Sequence, residues 1–216
     1  YAGNLLALGP RPSGSAANRA AADFIAAELR RLGWEVEEQI FERGEGVVMR
    51  NVIGKAGPLA SAQGQEPTRR LIASTHFDTT PAASRDPDPA MHNQPSWGAN
   101  DGASGAAVLL ALARSLDRGL LGHEVWLAFL DGEAWEPARA WNYGPGAQEM
   151  SQRWPNPPAS VIALNMVGGA GQQLYYESTS DTALRQEIWA LADQLGYANY
   201  FIPEPRHAIT AGLAAR

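Results

Sequence analysis

From residue 13 to residue 33 the chain reads SGSAANRAAADFIAAELRRLG, with Ala21, Phe24, Ile25, Leu29 and Leu32 recurring on one helical face. Ser13 or Ser15 supplies a cap and Gly33 a stop, so the pattern predicts a helix. The period then changes. WEVEEQIF (34–41) and VVMRNVIGKA (47–56) read as strands, antiparallel partners about the turn RGEG. A Gly-, Gln- and Ser-rich loop (57–68) precedes RRLIASTHFD, an apolar strand that ends in small polar residues. Residues 80–98 hold Pro81, Pro87, Pro89 and Pro95 without periodicity and are predicted as a long loop. Further on, GASGAAVLLALARSL, AQEMSQRW and DTALRQEIWALADQLG read as helices, and HEVWLAFLD, SVIALNMV, QQLYYEST and NYFIP as strands. This alternation predicts an α/β fold, a three-layer α/β/α sandwich with a mostly parallel mixed β-sheet, in one domain spanning 1–216.

Composition narrows the chemistry. With 216 residues, 45% hydrophobic and 19% charged, the chain can bury one sizeable core. A net charge of -6 and scattered Lys and Arg exclude nucleic acid as a partner. The absence of cysteine excludes disulfides and thiolate sites, so any metal must sit on His, Asp, Glu or water. No stretch has the roughly 18 consecutive apolar residues of a transmembrane helix. The start at Tyr1, without an initiator Met or signal-like segment, is that expected of a processed or trimmed chain.

Polar residues gather where predicted strands end, the edge at which open α/β sheets bind ligands. They are His76 and Asp78 in HFD, Asp101 in GANDGASG, Asp131 and Glu133 in FLDGE, and Asn165 in ALNMVGG. Taken singly, each has a plainer role: a surface hydrogen-bonded pair, a helix-capping turn, solvated acids, a strand-end amide. Together they offer imidazole nitrogen and carboxylate oxygen from separate segments, the donor set of a zinc-type site. A serine-hydrolase elbow is absent, because no G-x-S-x-G follows a strand.

The ordered set HFD, GANDGASG, FLDGE and LNMVGG, preceded by GPRPSGS and LGWEVE, resembles the co-catalytic zinc aminopeptidases and glutaminyl-peptide cyclotransferases, from about Gly9 onward. The DG before Glu133 and the following WNYGPGAQEM are more similar to the cyclotransferase branch. The resemblance implies a zinc-dependent exopeptidase-like fold, one or two zinc ions, and a peptide or small N-terminal substrate. It also implies export, whether periplasmic, extracellular or membrane-anchored. His76 takes the place of the first zinc's imidazole ligand, Asp78 that of the acid orienting it, and Asp101 that of the bridging carboxylate. Glu133 takes the place of the catalytic acid and base. A cis peptide is expected between Asp101 and Gly102.

The chain departs from that pattern at several positions. Ala134 stands where an acidic ligand is usual, and Asn165 where a carboxylate is usual. The last ligand, a histidine of a C-terminal motif, is not found before Arg216, so the domain is expected to lack its C-terminal end. Glu136 and His207 are candidate replacements, and Trp97, Trp135, Trp141 and Tyr143 are candidate walls of a substrate pocket. Two accounts follow: a zinc hydrolase acting at peptide N-termini, with metal binding weakened or lost, or a non-catalytic relative serving as a peptide-binding or structural domain.

Overall fold

The computed structural model describes residues 1–44, 46–57, 69–84, 86–134, 144–154 and 156–206. Its elements in chain order are α1 (Ala2–Ala7), α2 (Ala16–Arg31), β1 (Glu35–Arg43), β2 (Val47–Ala56), β3 (Arg70–His76), α3 (Ala103–Ser115), β4 (Glu124–Leu130), α4 (Pro145–Gln152), β5 (Ser160–Ala163), β6 (Leu174–Glu177), α5 (Thr182–Gln194) and β7 (Phe201–Arg206). Short 3-10 turns occur at Pro89–Met91 and Arg118–Leu120.

Five strands form one sheet in the order β1-β2-β4-β3-β5. The β1/β2 and β2/β4 pairs are antiparallel, whereas β3 runs parallel to both β4 and β5. The carboxyl ends of β3, β4 and β5 therefore share one edge. Register sets what meets there: His76 pairs with Leu130, and Ser74 with Ala163. The residues that follow Leu130 and Ala163 are thus delivered beside His76.

Successive side chains of β4 point to opposite faces, as strand geometry requires. Leu127 and Phe129 join a core with Leu5 of α1, Ile25 and Leu29 of α2, and Leu109 and Leu110 of α3. Trp126, Ala128 and Leu130 join Ala147 and Met150 of α4 on the other face. Helices thus cover both faces, giving the three layers. Burying Ile25 or Leu29 contributes about 1.5–3 kcal/mol each. Close approach of helix to sheet depends on two glycines. A Cβ on Gly54 would lie 3.0 Å from Leu29 Cδ2, and one on Gly105 would collide with Thr75 and sit 2.9 Å from the Leu164 carbonyl.

Several elements depart from the sequence expectation. Helix α1 has six residues and one buried side chain, Leu5, which is too little for a periodic pattern. Strand β5 ends at Ala163, and Met166 adopts φ 52, so the chain turns away before Val167. Strands β6 and β7 pair in parallel as a separate two-stranded sheet against α5, where Trp189 packs edge-on to Tyr176 and Phe201. The expected cis peptide after Asp101 is not formed: every peptide bond among the described residues is trans. Gly102, at φ 107, makes that turn instead, and a Cβ there would sit 2.6 Å from the Asp78 carbonyl. Among the described residues no helix is long and apolar enough to cross a membrane.

Candidate active site

His76, the last residue of β3, is buried and bonded through both ring nitrogens. Nδ1 faces Asp78 Oδ1 at 3.1 Å and the Asp78 carbonyl at 3.2 Å. Nε2 faces Asp101 Oδ1 at 2.9 Å and Asn165 Oδ1 at 3.3 Å. Burial works against the charged imidazole, but its hydrogen bonds to Asp101 and Asp78 hold its pKa well above the ordinary histidine value. The same bond to His76 lowers the pKa of Asp101, whose side chain is half exposed. Asp101 reaches His76 from the turn before α3. Asn165 comes from the turn after β5, where Leu164 N donates to the Ser74 carbonyl.

Behind the imidazole lies a buried acid pair. Asp78 and Asp131 are each 0% exposed, so their partners decide what they cost. Ser13 Oγ lies 2.8 Å from Asp131 Oδ1 and 3.3 Å from Asp78 Oδ2. Asn18 donates to Asp131 Oδ1 at 3.0 Å, and the Arg50 amide donates to its Oδ2 at 3.0 Å. The Ala134 amide donates to Asp78 Oδ2 at 2.8 Å. Burial, with repulsion from Asp78, pushes the Asp131 carboxyl up to about 7.

Glu133 follows β4 and turns its carboxyl toward α4. The Ala147 amide in that helix's first turn donates to Oε1 at 3.1 Å, and Gly144 leaves no room for a Cβ beside the carboxyl. Burial and the nearby Asp78 raise the Glu133 pKa to about 7. A carboxyl poised near neutrality can both accept and return a proton at physiological pH.

The donors suit one metal position better than two. Tetrahedral zinc, with bonds of about 2.0–2.2 Å, spaces its ligand atoms roughly 3.3 Å apart. The 3.3 Å from His76 Nε2 to Asn165 Oδ1 matches that spacing, the 2.9 Å to Asp101 Oδ1 is a hydrogen bond that would have to lengthen to admit an ion, and Asp78 on the opposite nitrogen is the kind of partner that orients a ligating imidazole. Ala134 offers only a methyl group. Among the described residues no three His, Cys, Asp or Glu side chains could hold a metal together. Among the described residues, the Asn165 amide oxygen is the donor that stands beside His76 and Asp101 as a third protein ligand.

Trp97 is 59% exposed in the loop before Asp101. His123 is exposed, and His92 bonds the Asp86 carbonyl within its own loop, so neither joins the site. Glu136, His207, Trp135, Trp141 and Tyr143 lie outside the described residues. Sequence reasoning assigned no role to Arg11 or Asn18, read Ser13 only as a possible helix cap, and left Asp131 among the strand-end acids without a task of its own. Asn18 was readable, because it falls in phase with the buried Ala22, Ile25 and Leu29 on α2.

An imidazole, carboxylates and an amide converging at the ends of parallel strands in a three-layer α/β/α sandwich fit a fold of the metallopeptidase class. The chain belongs to peptidase family M28, whose model matches residues 51–211. A Zn-dependent exopeptidase from Parabacteroides distasonis is 32% identical, with 97% of this chain and 75% of that one covered and a TM-score of 0.82. A glutaminyl cyclase from Porphyromonas gingivalis is 33% identical, with coverages of 97% and 74% and a TM-score of 0.83. A leucine aminopeptidase precursor from Bacteroides thetaiotaomicron is 28% identical, with coverages of 97% and 76% and a TM-score of 0.83. No curated protein matches.

Proposed function

We propose that this chain is a zinc-peptidase-like hydrolase or cyclase acting at peptide N-termini, with a single, weakened metal position. The observation that carries the proposal is the convergence of His76 Nε2, Asp101 Oδ1 and Asn165 Oδ1 beside Glu133. His76, Asp101 and Asn165 would hold the ion, which when bound supplies Lewis-acid polarisation of a substrate carbonyl. Asp78 holds a proton on His76 Nδ1, so an ion at Nε2 would take the place of the proton that Nε2 shares with Asp101. Glu133 takes a proton from water in hydrolysis, or from the substrate α-amine in a cyclisation, and returns it to the leaving amine. Trp97, exposed in the loop before Asp101, would offer an aromatic face for the N-terminal side chain.

The weakening follows from donor chemistry. A neutral amide oxygen replaces a carboxylate at Asn165, and Ala134 removes a ligand of the second position. These two residues also favour the second reading, a non-catalytic peptide-binding relative. The discriminating experiment is turnover of aminoacyl and glutaminyl coumarin amides at saturating zinc or cobalt. Turnover that disappears in Glu133→Gln is the expected result. A metal-loaded protein with no turnover on either substrate class would leave the binding reading in its place.

A further inference from the structure

Arg11 lies in the loop between α1 and α2 and is 0% exposed, yet no carboxylate accepts a hydrogen bond from it among the described residues. Its guanidinium instead faces a set of main-chain carbonyls. Nε donates to Phe77 O at 3.1 Å, and Nη2 to Gly98 O at 3.2 Å. Nη1, which has two hydrogens, is shared among Gly9 O at 2.9 Å, Trp97 O at 3.2 Å and Leu5 O at 3.3 Å. The main chain adds a reciprocal pair: Arg11 N donates to Thr79 Oγ1 at 2.8 Å, and Thr79 N to Arg11 O at 3.1 Å.

The positions of these acceptors are specific. Phe77 lies between His76 and Asp78. Gly98 lies three residues before Asp101, and its carbonyl also accepts from Ala103 N at the start of α3, at 3.0 Å. One cation therefore spans both segments that bring His76 and Asp101 together, within electrostatic reach of the buried Asp78. A planar fork with five N–H groups can serve such a set, whereas a lysine has three.

We propose that Arg11 is a positioning residue of the site, a buried clamp that fixes the end of β3 and the loop before Asp101 relative to each other and so sets the spacing of His76 and Asp101. The consequence for metal affinity rests on the function proposed above. The clamp itself does not, and the test separates the two.

Arg11→Lys keeps the charge and removes part of the fork. Amide hydrogen exchange in the metal-free protein is expected to rise at least about tenfold at Phe77, Thr79 and Ala103, while Ile25 in α2 and Leu127 in β4 stay protected. Zinc affinity, measured by competition with a chromophoric chelator, should fall roughly tenfold to a hundredfold. A uniform rise in exchange, or one confined to α1, with zinc affinity unchanged, would make Arg11 an ordinary structural residue and overturn the proposal. If wild-type protein takes up no zinc, the metal reading fails, and the exchange pattern still decides for or against the clamp. Thr79→Val provides a second route if Arg11→Lys does not fold, because it removes the hydroxyl that anchors the Arg11 amide. The same site-selective loss of protection is expected, smaller in amplitude, and a uniform change would count against the clamp.

Discussion

Asn165 differs from an aspartate by one terminal group, and that group decides whether the second oxygen facing His76 Nε2 carries charge. Asn165→Asp should therefore raise zinc affinity by at least about tenfold, since ligand charge matters most where only one other carboxylate is present. Chelator competition measures this directly, and unchanged affinity would place the ion elsewhere. Glu133 gives a second prediction, in pH. Its native pKa of about 7 lies above the ordinary glutamate value, so between the two the native state binds more proton than the unfolded chain. Stability is then highest at acid pH and falls as pH rises toward neutrality. The raised His76 pKa acts in the same direction, its contribution being lost as pH climbs through the native value. Thermal melts of the metal-free protein from pH 5 to pH 8 should show a falling midpoint. Glu133→Gln should flatten that slope by up to about 3 kcal/mol, less for residual solvent exposure. A slope unchanged in Glu133→Gln would show that the carboxyl ionises normally.

Helices and strands place these residues, and their energetics can be tested one element at a time. Ser15 caps α2 by accepting from the Asn18 amide at 3.0 Å, so Ser15→Ala should cost about 1 kcal/mol in denaturant unfolding. It should also loosen Asn18, which holds Asp131. Gly105→Ala drives a methyl group into Thr75 and the Leu164 carbonyl, with an expected loss of about 1–3 kcal/mol. Full stability in that variant would mean that α3 can move off β3. Elements of this length were legible in the sequence because buried faces of α2 and α3 leave a helical period and β3 and β4 leave apolar runs. Helix α1 is too short to leave one. Strands β6 and β7 were readable as strands, but their separation from the main sheet is a matter of pairing partner, which side-chain alternation does not encode.

Across the whole molecule, the site exists because parallel pairing of β3 with β4 and β5 carries distant segments to one edge. His76, Asp78, Asp101, Glu133 and Asn165 could be found from the sequence because each follows an apolar strand or precedes a helix. The support behind them could not. Ser13 looked like a helix cap, and it bridges Asp78 and Asp131. Arg11 carried no reading of its own, and it is buried among carbonyls. Nothing in local pattern announces a contact between residue 11 and residues 77 and 98. Such contacts depend on where loops close in three dimensions.

The most direct test of the account is the zinc content of the purified protein after equilibration with excess zinc, measured for wild type and His76→Ala. A single weak position predicts one zinc per chain in wild type, lost on extended dialysis, and none in His76→Ala. Two tightly held zinc ions per chain, or uptake unaffected by His76→Ala, would contradict it.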